Sequence, residues 1–493
     1  MISELLKKAR EQETETGRYI DKGERPVYHL SPWAGWMNDP NGFSIYKGMI
    51  HQFYQYYPYK TEWGPMHWGH AVSKDYVKWD YLPAAIAPDE SYDNFGCFSG
   101  GSVETKEGKQ LLVYTGVKSE VKEGKEIIRQ TQCLAFGDGA DYEKFQQNPV
   151  IDHKSIPEGW SPVDFRDPKI WFDEEDDCYY IVAGNRTDDG SGAILLFESK
   201  DGKEWKFVTV LDRSRNEYGK MWECPDFFEL DGKHFIFTSP QFMQARTLEF
   251  HNGNGNIMIV GSYDRKTHSF VRESVSAIDY GLDFYAMQTL KSGDGRRIMT
   301  AWMQSWESCK AVPEGQKWFG QMILPRELSY KNGRLYQRPV REIENYRKEH
   351  VSYRDVALFN ETTLPGVSGK VCDMELELVP NGQSFGEFKI SFHADSDYHT
   401  DFIYRPEEGI AIFDRTYSGF PYDINNKRKF PVRYNAGKLK LRVLLDRFSA
   451  EIFVNDGESV CSSTVYAPEE AGKISFSAKG SAVMNLDFWK LEN

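Results

Sequence analysis

Tyr179-Tyr-Ile-Val-Ala183 is an unbroken run of β-branched, aromatic and small apolar side chains, too short for a helix and of the composition that suits a pleated sheet. Runs of the same kind recur as Leu111-Leu-Val-Tyr-Thr115, His234-Phe-Ile-Phe-Thr238 and Arg297-Ile-Met-Thr-Ala-Trp302. Between such runs stand Asp201-Gly202, Asp231-Gly232 and Asn332-Gly333, dipeptides that accept the positive φ of tight hairpin turns. No helical period lasts three turns in this body, so the chain reads as all-β. The exception is residues 1–24, where Ile2, Leu5, Leu6 and Ala9 fit one face of a short amphipathic helix.

Polar motifs interrupt the strands around Asp39, Ser99, Asp167, Glu223 and Tyr285, at intervals of 60, 68, 56 and 62 residues. Units of about sixty residues match the blades of a β-propeller, four-stranded sheets set round a central channel. A five-bladed propeller is therefore expected over residues 25–340, with a large sandwich as the alternative on spacing alone. The charged stretch from Arg341 to His350 marks a linker, placed at 341–354. Beyond it, alternating runs such as Leu439 to Leu445 and Ala450 to Val454 predict a β-sandwich over 355–493.

Composition narrows the function. A chain of 493 residues is long enough for two modules, and Lys+Arg 60 against Asp+Glu 74 gives a net charge of −14. That charge repels nucleic-acid backbones and anionic lipid, and no apolar run is long enough to span a bilayer, so neither nucleic acid nor membrane is an expected partner. The seven cysteines, no two closer than 36 positions, form neither a disulfide framework nor a zinc knuckle. Charge breaks the N-terminal apolar residues too early for an export signal, which points to the cytoplasm. His67 and His70 form an H-x-x-H pair without a third ligand nearby, and the acidic run Asp173 to Asp177 lacks the spacing of a calcium loop. No metal and no other cofactor is expected.

The carboxylates stand out instead. Asp-Pro occurs twice, in Trp36-Met-Asn-Asp-Pro-Asn-Gly42 and Phe165-Arg-Asp-Pro-Lys169, and Glu223 lies in Met221-Trp-Glu-Cys-Pro-Asp226. Proline restricts the residue before it to extended backbone and offers no N–H, so each aspartate is conformationally confined. A lone carboxylate of this kind caps a turn; three spaced by whole repeats would converge on one channel. Convergent carboxylates among aromatic rings suit glycoside hydrolysis, in which one attacks or activates water, another protonates the leaving oxygen, and ring faces pack on sugar C–H groups. Twelve of the thirteen tryptophans precede position 319, so the site belongs to the first module.

Trp36 to Gly42, His51-Gln-Phe-Tyr-Gln-Tyr-Tyr-Pro58, Trp63-Gly-Pro-Met-His-Trp-Gly-His70, Phe98-Ser-Gly100, Phe165 to Pro168, Glu223-Cys-Pro225 and Asp283-Phe-Tyr-Ala286 resemble the successive signatures of glycoside hydrolase family 32. Leu445 to Gly457 resembles the motif of that family's C-terminal sandwich, so the likeness runs from about Arg25 to the end. The resemblance implies a five-bladed propeller plus sandwich and a retaining β-fructofuranosidase. It implies Asp39 as nucleophile, Glu223 as acid/base and Asp167 as transition-state stabiliser. Asn38, Gln55, Trp63, Phe98, Ser99, Arg166, Tyr285 and Trp306 are similar to positions lining the family's fructose pocket, with Trp302 the alternative to Trp306. The expected division of charge has the two aspartates ionised, helped by Arg166, and Glu223 protonated under their influence. The expected partner is a small sugar, the expected state a monomer or homodimer. A fructosyltransferase with the same intermediate and an inert carbohydrate-binding protein are the alternatives.

Overall fold

A computed structural model describes residues 2–187, 189–382, 385–422, 425–433, 435 and 437–493. The strands up to Pro339 form five sheets in chain order. Their first strands are Gly35–Tyr46, Gly96–Glu104, Trp160–Asp173, Met221–Leu230 and Tyr285–Lys291. Each touches the first strand of the next sheet, and the fifth returns to the first, so the five line one central channel. This is a β-propeller, and its ring is laced shut where Trp318–Phe319 pairs in parallel with Gly35 and Trp36 of the first sheet. Within each sheet the chain runs outward by antiparallel hairpins, and its short apolar runs become central strands buried on both faces, as Ile181, Val182 and Ala183 are.

All five first strands share one irregularity. Their pairing with the second strand slips between Met37 and Pro40, between Phe98 and Gly100, between Arg166 and Lys169, between Glu223 and Asp226, and between Tyr285 and Gln288. A bulge frees one or two residues from the ladder and turns their side chains out of the sheet plane. These slips coincide with the five polar motifs.

The C-terminal module is a sandwich of a six-stranded and a five-stranded antiparallel sheet around a core that includes Phe388, Phe402, Phe413, Phe476 and Phe488. The stretch read as a linker holds a 3-10 helix, Arg341–Tyr346, and the strand Arg347–Leu358, which is the edge of the six-stranded sheet. Two register slips, between Lys348 and Val351 and between Tyr353 and Val356, break its alternation, and its charged residues face solvent, so the sequence hides it as a strand. The N-terminal helix spans Glu4–Gly17 with Ser3 Oγ accepting from the Leu6 N–H. Its buried face is Leu6, Ala9, Glu13 and Gly17; Ile2 is half exposed.

The two modules are joined by buried charge. His29 lies between Asp446 and Glu451, its Nδ1 2.8 Å from Asp446 Oδ2 and its Nε2 2.9 Å from Glu451 Oε1. Asp446 also accepts the backbone N–H groups of Val27, Tyr28 and His29, and Arg326 bridges Glu451 to Asp279. Burial alone would lower the His29 imidazole, but its two carboxylate partners outweigh this and push it up to about 9. A histidine raised in the folded state contributes stability that is complete below its unfolded value, near 6.5, and is lost as pH rises through 9. His29→Gln is expected to cost about 3–5 kcal/mol at pH 6 and progressively less towards pH 10, read as unfolding midpoints across that range.

Candidate active site

Asp39, Ser99 and Asp167 are among the residues the bulges free, and Glu223 and Tyr285 are the last paired residues before theirs; the five meet at one end of the channel. Ser99 Oγ donates to Asp39 Oδ2 at 2.7 Å, and Asn38 Nδ2 to Asp39 Oδ1 at 3.1 Å. Asp167 has φ +64°, a left-handed conformation and not the extended one expected before Pro168, because the bulge turns the chain there; its carboxylate faces the next sheet, where Oδ2 accepts the Cys224 N–H at 3.0 Å. Cys224, also at positive φ, points its thiol between the two aspartates, with Sγ 3.4 Å from Asp39 Oδ2 and 3.6 Å from Asp167 Oδ2. Glu223 is held from two sides: Arg166 Nε donates to its Oε1 at 2.9 Å, and the Tyr285 hydroxyl donates to its Oε2.

Crowding three carboxylates in a buried space has an electrostatic cost. Burial, then the charge of Glu223, raises Asp39 above its ordinary value. Burial, with Glu223 and Asp39 acting against the nearby Arg166, pushes Asp167 up to about 7. Arg166 favours the ionised Asp167 through its charge, as expected, while its hydrogen bonds go to Glu223, Asp164, Gln130 and Gln241. Burial and the adjacent aspartates push the Cys224 thiol well up, so it remains an S–H donor to both rather than a thiolate. Burial and Glu223 raise Tyr285 in the same way, keeping its phenol a donor.

Around this centre the remaining residues form a wall and a rim. Trp36 Nε1 donates to Asn38 Oδ1 at 2.7 Å, and the Trp36 ring packs on Trp306 at 6.4 Å. Trp306 is half-buried in the apolar cluster that holds Cys224 and Tyr285, whereas Trp302, the alternative, is wholly buried against it. Phe98 belongs to the same cluster and meets Trp63 edge-on at 6.0 Å; Trp63 is 41% exposed. Gln55 is buried with its amide on the Cys97 carbonyl, touching the strand of Ser99 rather than the carboxylates. His70 faces His51 at 2.9 Å, and among the described residues no group of three or more His, Cys, Asp or Glu side chains could hold a metal.

Residues with no sequence signal complete the site. Thr115 accepts the Asp167 N–H at 2.9 Å, and Gln130 and Gln241 both touch Arg166. Tyr422, Tyr466, Phe420 and Phe448 of the sandwich close the back of the aromatic cluster. Below the bulges, Lys169 Nζ donates to the Thr289 carbonyl at 2.6 Å and lies 3.6 Å from Asp226, which accepts the Thr289 N–H. The strands of Asp167, Glu223 and Tyr285 are thereby tied together under the site.

The family model for the glycosyl hydrolases family 32 N-terminal domain matches residues 29–339, and that for the family 32 C-terminal domain matches residues 342–490. The chain belongs to glycoside hydrolase family 32 and is a glycoside hydrolase. It is 36% identical to a sucrose-6-phosphate hydrolase of Escherichia coli and 35% identical to a raffinose invertase of Escherichia coli, over 94% and 93% of both chains respectively. Among solved structures, a Bombyx mori family 32 β-fructofuranosidase superposes with a TM-score of 0.84 at 33% identity, covering 99% of this chain and 98% of that one.

The raised Asp167 carboxyl generates a prediction. A carboxylate whose folded-state value lies above its unfolded value, near 3.8, makes the fold lose stability as pH rises from about 4 to 7. Asp167→Asn is therefore expected to stabilise the free protein by about 1–3 kcal/mol at pH 8, with the gain fading towards pH 4. Calorimetric melting at the two pH values checks it.

Proposed function

We propose that this family 32 β-fructofuranosidase releases terminal non-reducing β-D-fructosyl units from sucrose, sucrose 6-phosphate or short fructo-oligosaccharides, with retention at C2. The observation that carries the reading is the grouping of Asp39, Asp167 and Glu223 around Cys224 and Arg166 at one end of the channel. In the first step an Asp39 carboxylate oxygen attacks C2 of the fructosyl unit as its bond to the glycosidic oxygen breaks. Glu223 gives its proton to that oxygen, and the leaving sugar departs neutral. In the second step Glu223, now a carboxylate, takes a proton from water; the water oxygen bonds to C2 and the Asp39 ester breaks. Asp167 accepts hydrogen bonds from fructose hydroxyls, and these strengthen as positive charge grows at C2 and the ring oxygen.

Ser99 and Asn38 aim the Asp39 carboxylate by donating to both of its oxygens. Arg166 and Tyr285 orient Glu223. Gln55, Trp63, Phe98 and Trp306 complete the fructose pocket. The enzyme acts in the cytoplasm as a monomer or homodimer; among the described residues no helix is long and apolar enough to cross a membrane.

Glu223→Gln is expected to lower kcat on sucrose by about 10²–10⁴-fold. Asp39→Ala is expected to abolish turnover, and rapid quenching of the wild type should leave a fructosyl ester on the peptide that contains Asp39. Undiminished turnover in Asp39→Ala overturns the assignment. Free glucose in excess of fructose from concentrated sucrose marks transfer instead of hydrolysis.

A further inference from the structure

In every sheet of the propeller the second strand ends at the face where the bulges open, so the loop to the third strand emerges beside the site. Trp63 lies on that loop of the first sheet and Trp306 on that of the fifth. In the fourth sheet the loop begins at Phe242. This phenylalanine is 58% exposed and has φ +60°, a conformation that a bulky side chain adopts only at a cost. Its neighbours hold it there. The Gln241 carbonyl accepts the Lys220 N–H at 2.9 Å, and Met243 exchanges two backbone hydrogen bonds with Gly253 at 2.8 and 3.1 Å. The backbone is strained to present an apolar ring to water, which core packing does not require.

Its location gives the strain a use. Gln241 is paired opposite Met221, two residues before Glu223, and its Oε1 lies 3.5 Å from Arg166, the residue on the Glu223 carboxylate. Phe242 thus stands on the rim at the side of the residue that protonates the leaving oxygen, where the departing sugar must lie. We propose that Phe242 is the platform for the leaving-group sugar, its ring face packing on the C–H face of an aldopyranosyl unit such as the glucosyl of sucrose. An aromatic face is electron-rich and meets the weakly positive C–H groups of a pyranose, and a side chain carried on backbone already held in place costs little backbone freedom on binding. The platform sets specificity for the leaving group and leaves fructose recognition to the carboxylate end of the pocket. This inference rests on the β-fructofuranosidase reading.

The test compares sucrose with methyl β-D-fructofuranoside, which carries the same fructosyl unit and no leaving sugar. Phe242→Ala is expected to lower kcat/KM on sucrose about five- to tenfold, mainly through KM, and to leave the methyl fructoside within twofold of wild type. Phe242→Tyr should retain wild-type values on both. Phe242→Gly, which relaxes the positive φ, should lose the same activity on sucrose while melting no lower than wild type, which separates the loss of a platform from misfolding. Equal losses on the two substrates, or no loss on sucrose, overturn the platform while the hydrolase reading stands. A wild-type protein that cleaves neither substrate overturns the hydrolase reading and the platform with it.

Discussion

A propeller strand that lined the channel with an unbroken ladder would present alternate side chains to the neighbouring sheets and none along the axis. The bulge in each first strand removes that restriction, and the site depends on it. At two of the five bulges the freed residues include a proline, Pro168 and Pro225, and at a third Pro40 stands where the ladder resumes; each is next to a functional side chain or one residue from it. Proline has no N–H to give to a ladder, so within a sheet it is tolerated where the ladder is already open. Positive φ at Asp167, Cys224 and Ala286 then turns the chain at successive sheets. Local strain, an unpaired backbone and a polar side chain facing the axis are three consequences of one device.

That device is also why so much of the site could be read from sequence. The intervals between Asp39, Ser99, Asp167, Glu223 and Tyr285 are the intervals between bulges, and Asp-Pro marks two of them without reference to any fold. What stayed hidden lacks a local signal. The closing strand Trp318–Phe319 is two residues long, and its pairing is set by the ring it closes. Thr115, Gln130 and Gln241 lie on second or third strands as ordinary polar residues, and only the register brings them to Asp167 and Arg166. The edge strand Arg347–Leu358 reads as a charged linker because two slips erase its period of two. Phe242 is one of 31 phenylalanines, and only its backbone angle and exposure distinguish it.

The crowding of charge changes how the division of labour is understood. Arg166 acts on Asp167 through its charge, but it and the Tyr285 phenol both donate to Glu223, while the aspartates receive weaker, neutral donors: Ser99, Asn38 and Cys224. In the proposed mechanism a substrate adds hydroxyl donors to Asp167 and places developing positive charge beside Asp39. Both changes favour the ionised aspartates. On that mechanism the free site is electrostatically unfinished, and the transition state would supply what it lacks, which is the condition for binding that state more tightly than the ground state.

The sandwich enters the chemistry through one strand. Asp283 stands two residues before Tyr285, and its carboxylate accepts from Arg415 and from the Thr464 N–H, both in the sandwich, while Arg415 lies over the Tyr422 ring at 3.7 Å. Four residues earlier, Asp279 accepts the Ser462 N–H and pairs with Arg326, which continues through Glu451 to His29. The segment that delivers the Tyr285 phenol to Glu223 is thus pinned at two points to the second module, by charges that are wholly buried. Breaking a buried pair leaves an uncompensated charge, so losing either partner of these contacts is costly. A propeller without its sandwich would keep the bulges but lose the anchor of its fifth first strand. The position of the phenol on Glu223 would then be left to the sheet alone. The second module is, in this structure, part of the machinery that orients Glu223.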